Sequence, residues 1–511
     1  MSKCLIIVLL LAFQGLSTAN AQAPRKQLPA KFTTLSIKVD GNIDDDAWKD
    51  APIATDFIEN RPNSGATERN KSEVKILYDN TSIYIAGYMH ESTADSVSRE
   101  LVGRDRIGNS DFCGVIFDTY FDKINAVGFY VTPYGEQYDA KYSSTGGEDD
   151  NWNAVWESEA KVQKDGWTFE MAIPYSALRF TSKENQTWGL NITRRRQKTS
   201  QQFFWNPLDP KVNGLVNQEG EWTGIGKIKS PLRLSLTPYF SSYINHYPAN
   251  TAGIKNTTTS FNGGMDIKYG ISQSFTLDMT LIPDFGQVQS DNQVLNLSPF
   301  ETRFNENRAF FTEGTELFNK GNLFYSRRIG GTPLHLYDAY DNVKPGEKLL
   351  KNPLETKLLN ASKISGRTKK GLGIGIFNAV TNTTYANILD STGNERKFNT
   401  NPLTNYNILV FDQTLKNNSS ISLINTNVLR SGHDYDANVT AGLFEFNDKK
   451  NIYNLNGKVA VSQLFNVGGK NINGYSHALG IGKNGGRFNF NLYQELADDK
   501  YDISDMGYFT N

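Results

Sequence analysis

The sequence predicts an all-β protein: an N-terminal β-sandwich, then an antiparallel, outer-membrane-type β-barrel that is incomplete in this chain. Three observations predict it. Short apolar runs between turn residues fill the first half. Strands with one apolar and one polar face repeat through the second. An export signal opens the chain.

The signal comes first. Lys3 supplies a charged start, Leu5 to Phe13 a short apolar core, and Ala19-Asn20-Ala21 a cleavage pattern. Residues 1–21 are therefore expected to be removed, leaving a mature chain that begins at Gln22 with a linker over 22–34. The apolar run falls well short of the ~20 residues a spanning helix needs. Cys4 precedes the apolar run, so it is misplaced for lipid attachment, and the mature chain keeps only Cys113 and no internal disulfide. The chain has 53 basic and 54 acidic side chains, and loss of Lys3 moves the formal charge from −1 to −2. Such a balance gives no reason to expect nucleic-acid binding.

Residues 35–229 read as the sandwich. Val74 to Tyr78 and Ile83 to Tyr88 flank an Asp79-Asn80 turn. Val127 to Val131 runs into Pro133-Tyr134-Gly135, and the alternating Trp167 to Ile173 stops at Pro174. Runs this short, with turn chemistry between them, favour a sandwich over α/β. Trp167 and Trp188 lie in alternating runs and read as core, while Trp205 and Trp222 are expected at the seam with the second half.

Residues 230–511 change character. Leu232, Leu234 and Leu236 alternate with Arg233, Ser235 and Thr237; Phe275, Leu277, Met279 and Leu281 alternate with Thr276, Asp278 and Thr280. About eleven such strands follow Pro231, whereas single-chain bacterial barrels use even numbers. The chain closes on Thr510-Asn511 without a terminal aromatic strand, so a fragment with an unclosed barrel is expected. The rival is a large secreted β-protein, with a second sandwich or a propeller. Residues 282–331 interrupt the strand pattern with a polar insert suited to a pore or its mouth.

Five segments of the first half, in order, resemble a family 9 carbohydrate-binding module, a DOMON-like sandwich. They are Ile37 to Ala51 (IKVDGNIDDDAWKDA), Glu73 to Glu91, Arg104 to Asp122, Gly128 to Ala140, and Trp152 to Phe180 continuing to TWGLNITRRR. In the insert, PDFGQV, FETRFNENRAFFTEG and FYSRRIGG resemble an outer-membrane family of unknown function that couples such a module to a C-terminal barrel. The resemblance implies an outer-membrane location, contact with membrane lipid, a glycan or oligosaccharide partner, and a role in carbohydrate catabolism. It also implies structural calcium as the one cofactor to look for. The most calcium-like stretch, Asp40 to Asp46, lacks the turn glycine and the twelfth-position Glu of an EF-hand. It reads instead as a turn and helix cap that send Trp48 into the core.

Sugar binding needs aromatic faces for the C–H side of a pyranose and planar polar groups for its hydroxyls. Trp152, Trp156 and Tyr134 supply the first kind; Arg104, Asp111 and Asn153 supply the second. The competing reading of Trp152 and Trp156, four apart and on one face if the segment is a strand, is that both pack the core. In the insert, Asp284, Glu301, Arg303, Glu306, Arg308, Glu313, Arg327 and Arg328 form a plug or lumen set that must pair charges if buried. Two alternatives stay open: a glycoside hydrolase using Glu301 and Glu306, or a structural or transport barrel with a non-binding sandwich. Cys113, in an apolar run, reads as a core residue. No nucleophile elbow, zincin motif, Walker loop or dinucleotide fingerprint occurs in the sequence.

Overall fold

The computed structural model describes residues 25–508 except 144–146, 151, 181–182, 211, 213, 227, 230, 247–255, 273, 284–294, 298–300, 313, 369 and 485–487. The expected signal peptide and its cleavage point lie outside the described residues, as do Asp284 and Glu313.

The first half is a two-sheet sandwich. One sheet runs in the order Gln27–Pro29, Gly220–Gly226, Asn185–Arg196, Phe112–Asp118, Asn125–Val131, Gln137–Ser143, Gly147–Asp149. The other runs Glu157–Gln163, Gly166–Pro174, Ser82–His90, Ser72–Tyr78, Ile53–Ala54. Inward side chains of both sheets, including Val115, Phe117, Phe129, Phe169 and Trp188, share one core. Its buried members all lie between Leu28 and Ile228. Cys113 and Trp167 belong to it. Trp205 and Trp222 do too, which corrects their expected place at the seam: Trp222 meets Tyr78 and Trp188 edge-on inside the sandwich. Trp48 is buried on the far side of the second sheet, where its indole N–H donates to Glu170 at 2.9 Å. A short 3₁₀ turn, Asp46–Trp48, places it there.

The second half is an eleven-stranded antiparallel sheet in sequence order, from Leu234–His246 to Phe490–Ala497. These two strands are its edges, and the sheet does not close on itself among the described residues. Pro238 sits in an edge strand, where a missing N–H is tolerated. The alternation sorts the side chains as a barrel would. Leu409, Phe411, Ile421, Leu423, Val459 and Val461 are exposed on one face. The opposite face carries Phe377, Tyr406, Ile408, Val410, Ile424 and Val428, all buried.

What covers that inner face is the insert together with residues 498–508. Phe311, Leu317, Phe318, Leu323, Phe324 and Ile329 of the insert, with Tyr501, Ile503 and Met506, pack on it. Phe377 is the hub, meeting the rings of Phe310, Phe311, Phe318 and Phe324. The two covering segments are tied together: Tyr325 N–H donates to the Met506 carbonyl at 2.6 Å, and the Tyr508 hydroxyl donates to the Glu301 carbonyl at 2.6 Å. A three-stranded sheet, Lys348–Lys351, Thr384–Leu389 and Glu395–Asn401, stands apart from the barrel sheet and has no counterpart in the sequence pattern.

Candidate functional site

Asp139 organises the predicted sugar-site residues. It lies on Gln137–Ser143 with its side chain inaccessible to solvent, and it accepts from three groups. These are the Trp156 indole N–H at 3.0 Å, the Ala154 backbone N–H at 2.9 Å and the Arg104 guanidinium at 2.5 Å. Burial raises the Asp139 carboxyl above its ordinary range, against the pull of Trp156 and Arg104. Arg104 also donates to Gln137 and, at 2.7 Å, to the Ala154 carbonyl. The stretch 152–156 is thus pinned at its centre and its end. It is extended coil, not the strand that would put both tryptophans on one face.

Both tryptophans of that stretch are buried and meet Phe129 edge-on, Trp152 at 5.8 Å and Trp156 at 5.5 Å between ring centroids. Trp156 is inside the core and cannot clamp a ligand as it stands. Trp152, 9% exposed, keeps an edge open, with the Lys141 ammonium 5.2 Å from its ring centroid. Asn153 is exposed beside it and reaches Asp105 at 3.4 Å. Tyr134 is exposed on its turn with Arg99 over its ring, apart from this cluster. Asp111 is elsewhere again: it is buried, accepts from Gln197 N–H at 2.7 Å, and desolvation pushes it up to about 6. The structure therefore unites Arg104, Trp152, Asn153 and Trp156, and separates Tyr134 and Asp111 from them.

The stretch 152–155 faces a cavity of about 1220 Å³ between the sandwich and the barrel sheet. Sequence reasoning missed it, since its walls come from distant parts of the chain. Trp152 and Asn153 line the sandwich side; Ser235, Lys268, Asp278 and Lys363 line the barrel side; Glu316 and Lys320 of the insert close a third side. Arg179 crosses the boundary to donate to Thr276.

Four of the insert charges form two ion pairs. Arg328 holds Glu301 with two bonds of 2.8 and 2.6 Å. Arg308 holds Glu306 likewise, at 2.8 and 2.6 Å, and also donates to the Ile329 and Ser326 carbonyls. Arg303 lies over the rings of Tyr325 and Tyr508. Arg327 sits with Arg328 in the turn Ser326–Arg328. Burial alone would raise Glu306, but the Arg308 bonds and charge outweigh it and hold the carboxyl below its ordinary range. A glycosidic general acid needs the opposite shift. The arrangement fits a salt-bridged plug better than an acid–base pair.

Among the described residues, no group of three or more His, Cys, Asp or Glu is disposed to hold a metal ion. In the Asp40 to Asp46 stretch three of the four carboxylates are engaged locally: Asp40 accepts from Asn42 N–H, Asp45 from Lys38 N–H and Asp46 from Lys49. The nearest approach to a hard-cation site is a pair, Glu219 and Asp118. Glu219 is buried and neither carboxylate oxygen has a hydrogen-bond partner. Burial, then the neighbouring Asp118 charge, drives its carboxyl well above the ordinary range. A Cβ at Gly189 would lie 2.3 Å from Glu219 Oε2, so that glycine makes room for the acid.

Fold and site together define a β-rich protein in which a small sandwich is docked on a barrel-type sheet with a packed inner face. The chain belongs to the family described as Domain of unknown function (DUF5916), whose model matches residues 230–511. Residues 39–210 match the model described as Carbohydrate family 9 binding domain-like. Among solved structures, a family 9 carbohydrate-binding module from Caldicellulosiruptor kristjanssonii in complex with cellotriose is 13% identical, spans 40% of this chain and 95% of its own, and gives a TM-score of 0.29. A putative carbohydrate-binding protein from Bacteroides uniformis is 13% identical over 39% of this chain and 99% of its own, with a TM-score of 0.33. An OmpT loop-deletion mutant, an outer-membrane protein of Vibrio cholerae, is 11% identical over 52% of this chain and 93% of its own, with a TM-score of 0.22. No curated protein matches the chain.

Proposed function

We propose that the protein is an outer-membrane glycan receptor whose sandwich captures an oligosaccharide for uptake and catabolism. The observation that carries the reading is the match of residues 39–210 to the carbohydrate family 9 binding domain-like model. Two features support it. The stretch 152–155 offers an indole edge and an exposed amide to open space, the chemistry a pyranose uses. The exposed apolar face of the eleven-stranded sheet suits lipid, since an apolar outer band is what a spanning barrel presents. No described helix is long and apolar enough to cross a membrane, which says nothing about strands. If the sandwich holds the calcium its resemblance implies, Glu219 and Asp118 would supply oxygens to it.

The test is a glycan array followed by calorimetry on the full chain in detergent. Saturable binding of a neutral oligosaccharide, weakened in Trp152→Ala, is the expected result. No binding to plant, microbial or host glycans would overturn the reading and leave the sandwich as a structural element of the barrel.

A further inference from the structure

The insert does not cover the barrel interior evenly. Its apolar side chains pack on the inner faces of the strands from Leu358–Arg367, at Leu358 and Ala361, to Tyr453–Val467. Parts of the inner faces of Leu234–His246, Thr257–Tyr269 and Phe275–Leu281, with Lys363, Ser365 and Arg367 at the end of Leu358–Arg367, instead line the 1220 Å³ cavity. One sector is sealed and the other is open, and the open sector is continuous with Trp152 and Asn153 of the sandwich.

The chemistry of the open wall is specific. Strand register places Lys268 beside Asp278 and Asp278 beside Lys363, so one row reads cation, anion, cation across three strands. Directly opposed opposite charges stabilise each other, and the row keeps one cation in excess. The adjoining row is Thr276 beside Ser365, a hydroxyl pair. Ser235 and Thr237 continue the hydroxyl lining on the edge strand. Around the whole chamber eight basic and six acidic side chains alternate with hydroxyls and amides, so the lining offers many donors and acceptors to a hydroxyl-rich molecule. The volume exceeds the ~300–1000 Å³ usual for a drug-sized ligand, so several sugar rings fit.

We infer that this chamber is a second saccharide subsite, shared by sandwich, insert and barrel wall, that takes a neutral oligosaccharide through its hydroxyls. The inference rests on the glycan-capture reading and adds a place where the captured chain lies against the barrel. Ser365 is the reporter. It lines the chamber on the inner face of Leu358–Arg367. The protein's two cysteines are Cys4, changed to serine for the test, and Cys113, which is buried in the sandwich core. A thiol introduced at position 365 is therefore the reactive one.

The experiment uses the full chain carrying Cys4→Ser and Ser365→Cys in detergent, with Ser235→Cys as a second site. It follows labelling by a charged methanethiosulfonate in the presence of neutral cello-, malto-, xylo- and chito-trisaccharides. Calorimetry is run on the same samples. A neutral trisaccharide should bind and slow labelling about tenfold or more at both sites. Calorimetric binding with unprotected labelling at both positions would overturn the chamber and leave the sandwich as a receptor. Neither binding nor protection with any of the neutral sugars would overturn both readings.

Discussion

Replacing Asp139 with Ala removes the acceptor that holds the stretch 152–156 to the sandwich. Three donors lose their partner: Trp156 Nε1–H, Ala154 N–H and the Arg104 guanidinium. The first two are buried, and a hydrogen bond to a charged group is worth ~1.5–3 kcal/mol. The Arg104 side chain is 36% exposed, so its ion pair is screened and adds little. Removal of one partner from a buried charged cluster typically costs ~3–5 kcal/mol. Here we expect the lower end, about 3 kcal/mol, because water can reach Arg104. Asp139→Asn keeps one acceptor for the buried donors and should lose less. The assay is urea unfolding of residues 25–229, whose core is self-contained, followed by tryptophan fluorescence and compared at constant m-value. A double-mutant cycle with Trp156→Phe should show coupling of about 1 kcal/mol. Oligosaccharide affinity of the full chain should fall with the alanine change, since Trp152 and Asn153 lose their anchor. An Asp139→Ala loss under about 1 kcal/mol, or no coupling to Trp156, would refute the claim that this carboxylate positions the stretch.

Three further outcomes are expected. Burial raises the carboxyls of Asp111, to about 6, and of Glu219 and Asp118; each favours its protonated form in the fold. Their contribution is present below the unfolded carboxylate range and is lost as pH rises through the folded values, so sandwich stability should fall between about pH 4 and 7 by urea titration. Glu219→Gln should flatten that slope and stabilise the sandwich at neutral pH. If calcium raises the melting temperature of the wild type but not of Glu219→Gln, the pair is a cation site; an equal response in both sinks that role. His335 is clasped by Asp338 at 2.7 Å and Asp434 at 2.8 Å, and although burial opposes its charge the two carboxylates raise its pKa. Its NMR titration should have a midpoint above 6.5, returning toward 6.5 in Asp434→Asn; the clasp then stabilises the fold below 6.5 and weakens as pH passes the raised midpoint. Leu423→Arg, on the exposed apolar face, should destabilise the barrel by ~2–4 kcal/mol in vesicles if the residue lies at the bilayer midplane. No change in folding yield or stability on insertion would mean this face does not meet lipid.

Much of the fold was legible because alternation is a local signal. In Ser420–Arg430, Ile421, Leu423 and Leu429 are exposed, while the opposite face mixes Ser422 and Thr426 with Ile424 and Val428. That inner face carries apolar residues because the covering segments pack there. Polarity therefore identifies the outer face of the strand but not what lies inside it. Thr384–Leu389 reads Thr-Tyr-Ala-Asn-Ile-Leu, without an apolar and a polar face, and pairs with Lys348–Lys351 and Glu395–Asn401 in a separate sheet that its local polarity does not announce. Trp205 and Trp222 carry no local sign of which core they enter.

The site was less legible for a reason of the same kind. Trp152 and Trp156 stand out by their side chains, but their spacing is informative only if the segment is a strand, and Asp139 holds it as coil instead. Nothing in residues 152–156 announces an acceptor that lies on another element. The chamber needs still more distant pieces: an amide at 153, a hydroxyl at 235, a carboxylate at 278 and an ammonium at 363. Each looks ordinary in its own segment. Their meaning comes from register, because Lys268, Asp278 and Lys363 compensate one another only when three strands are aligned. A shift of one residue in any of them would turn that strand's polar set outward and replace the wall with apolar side chains. The polar lining of the chamber is therefore a property of strand pairing, and substitutions that preserve composition but change register should abolish it.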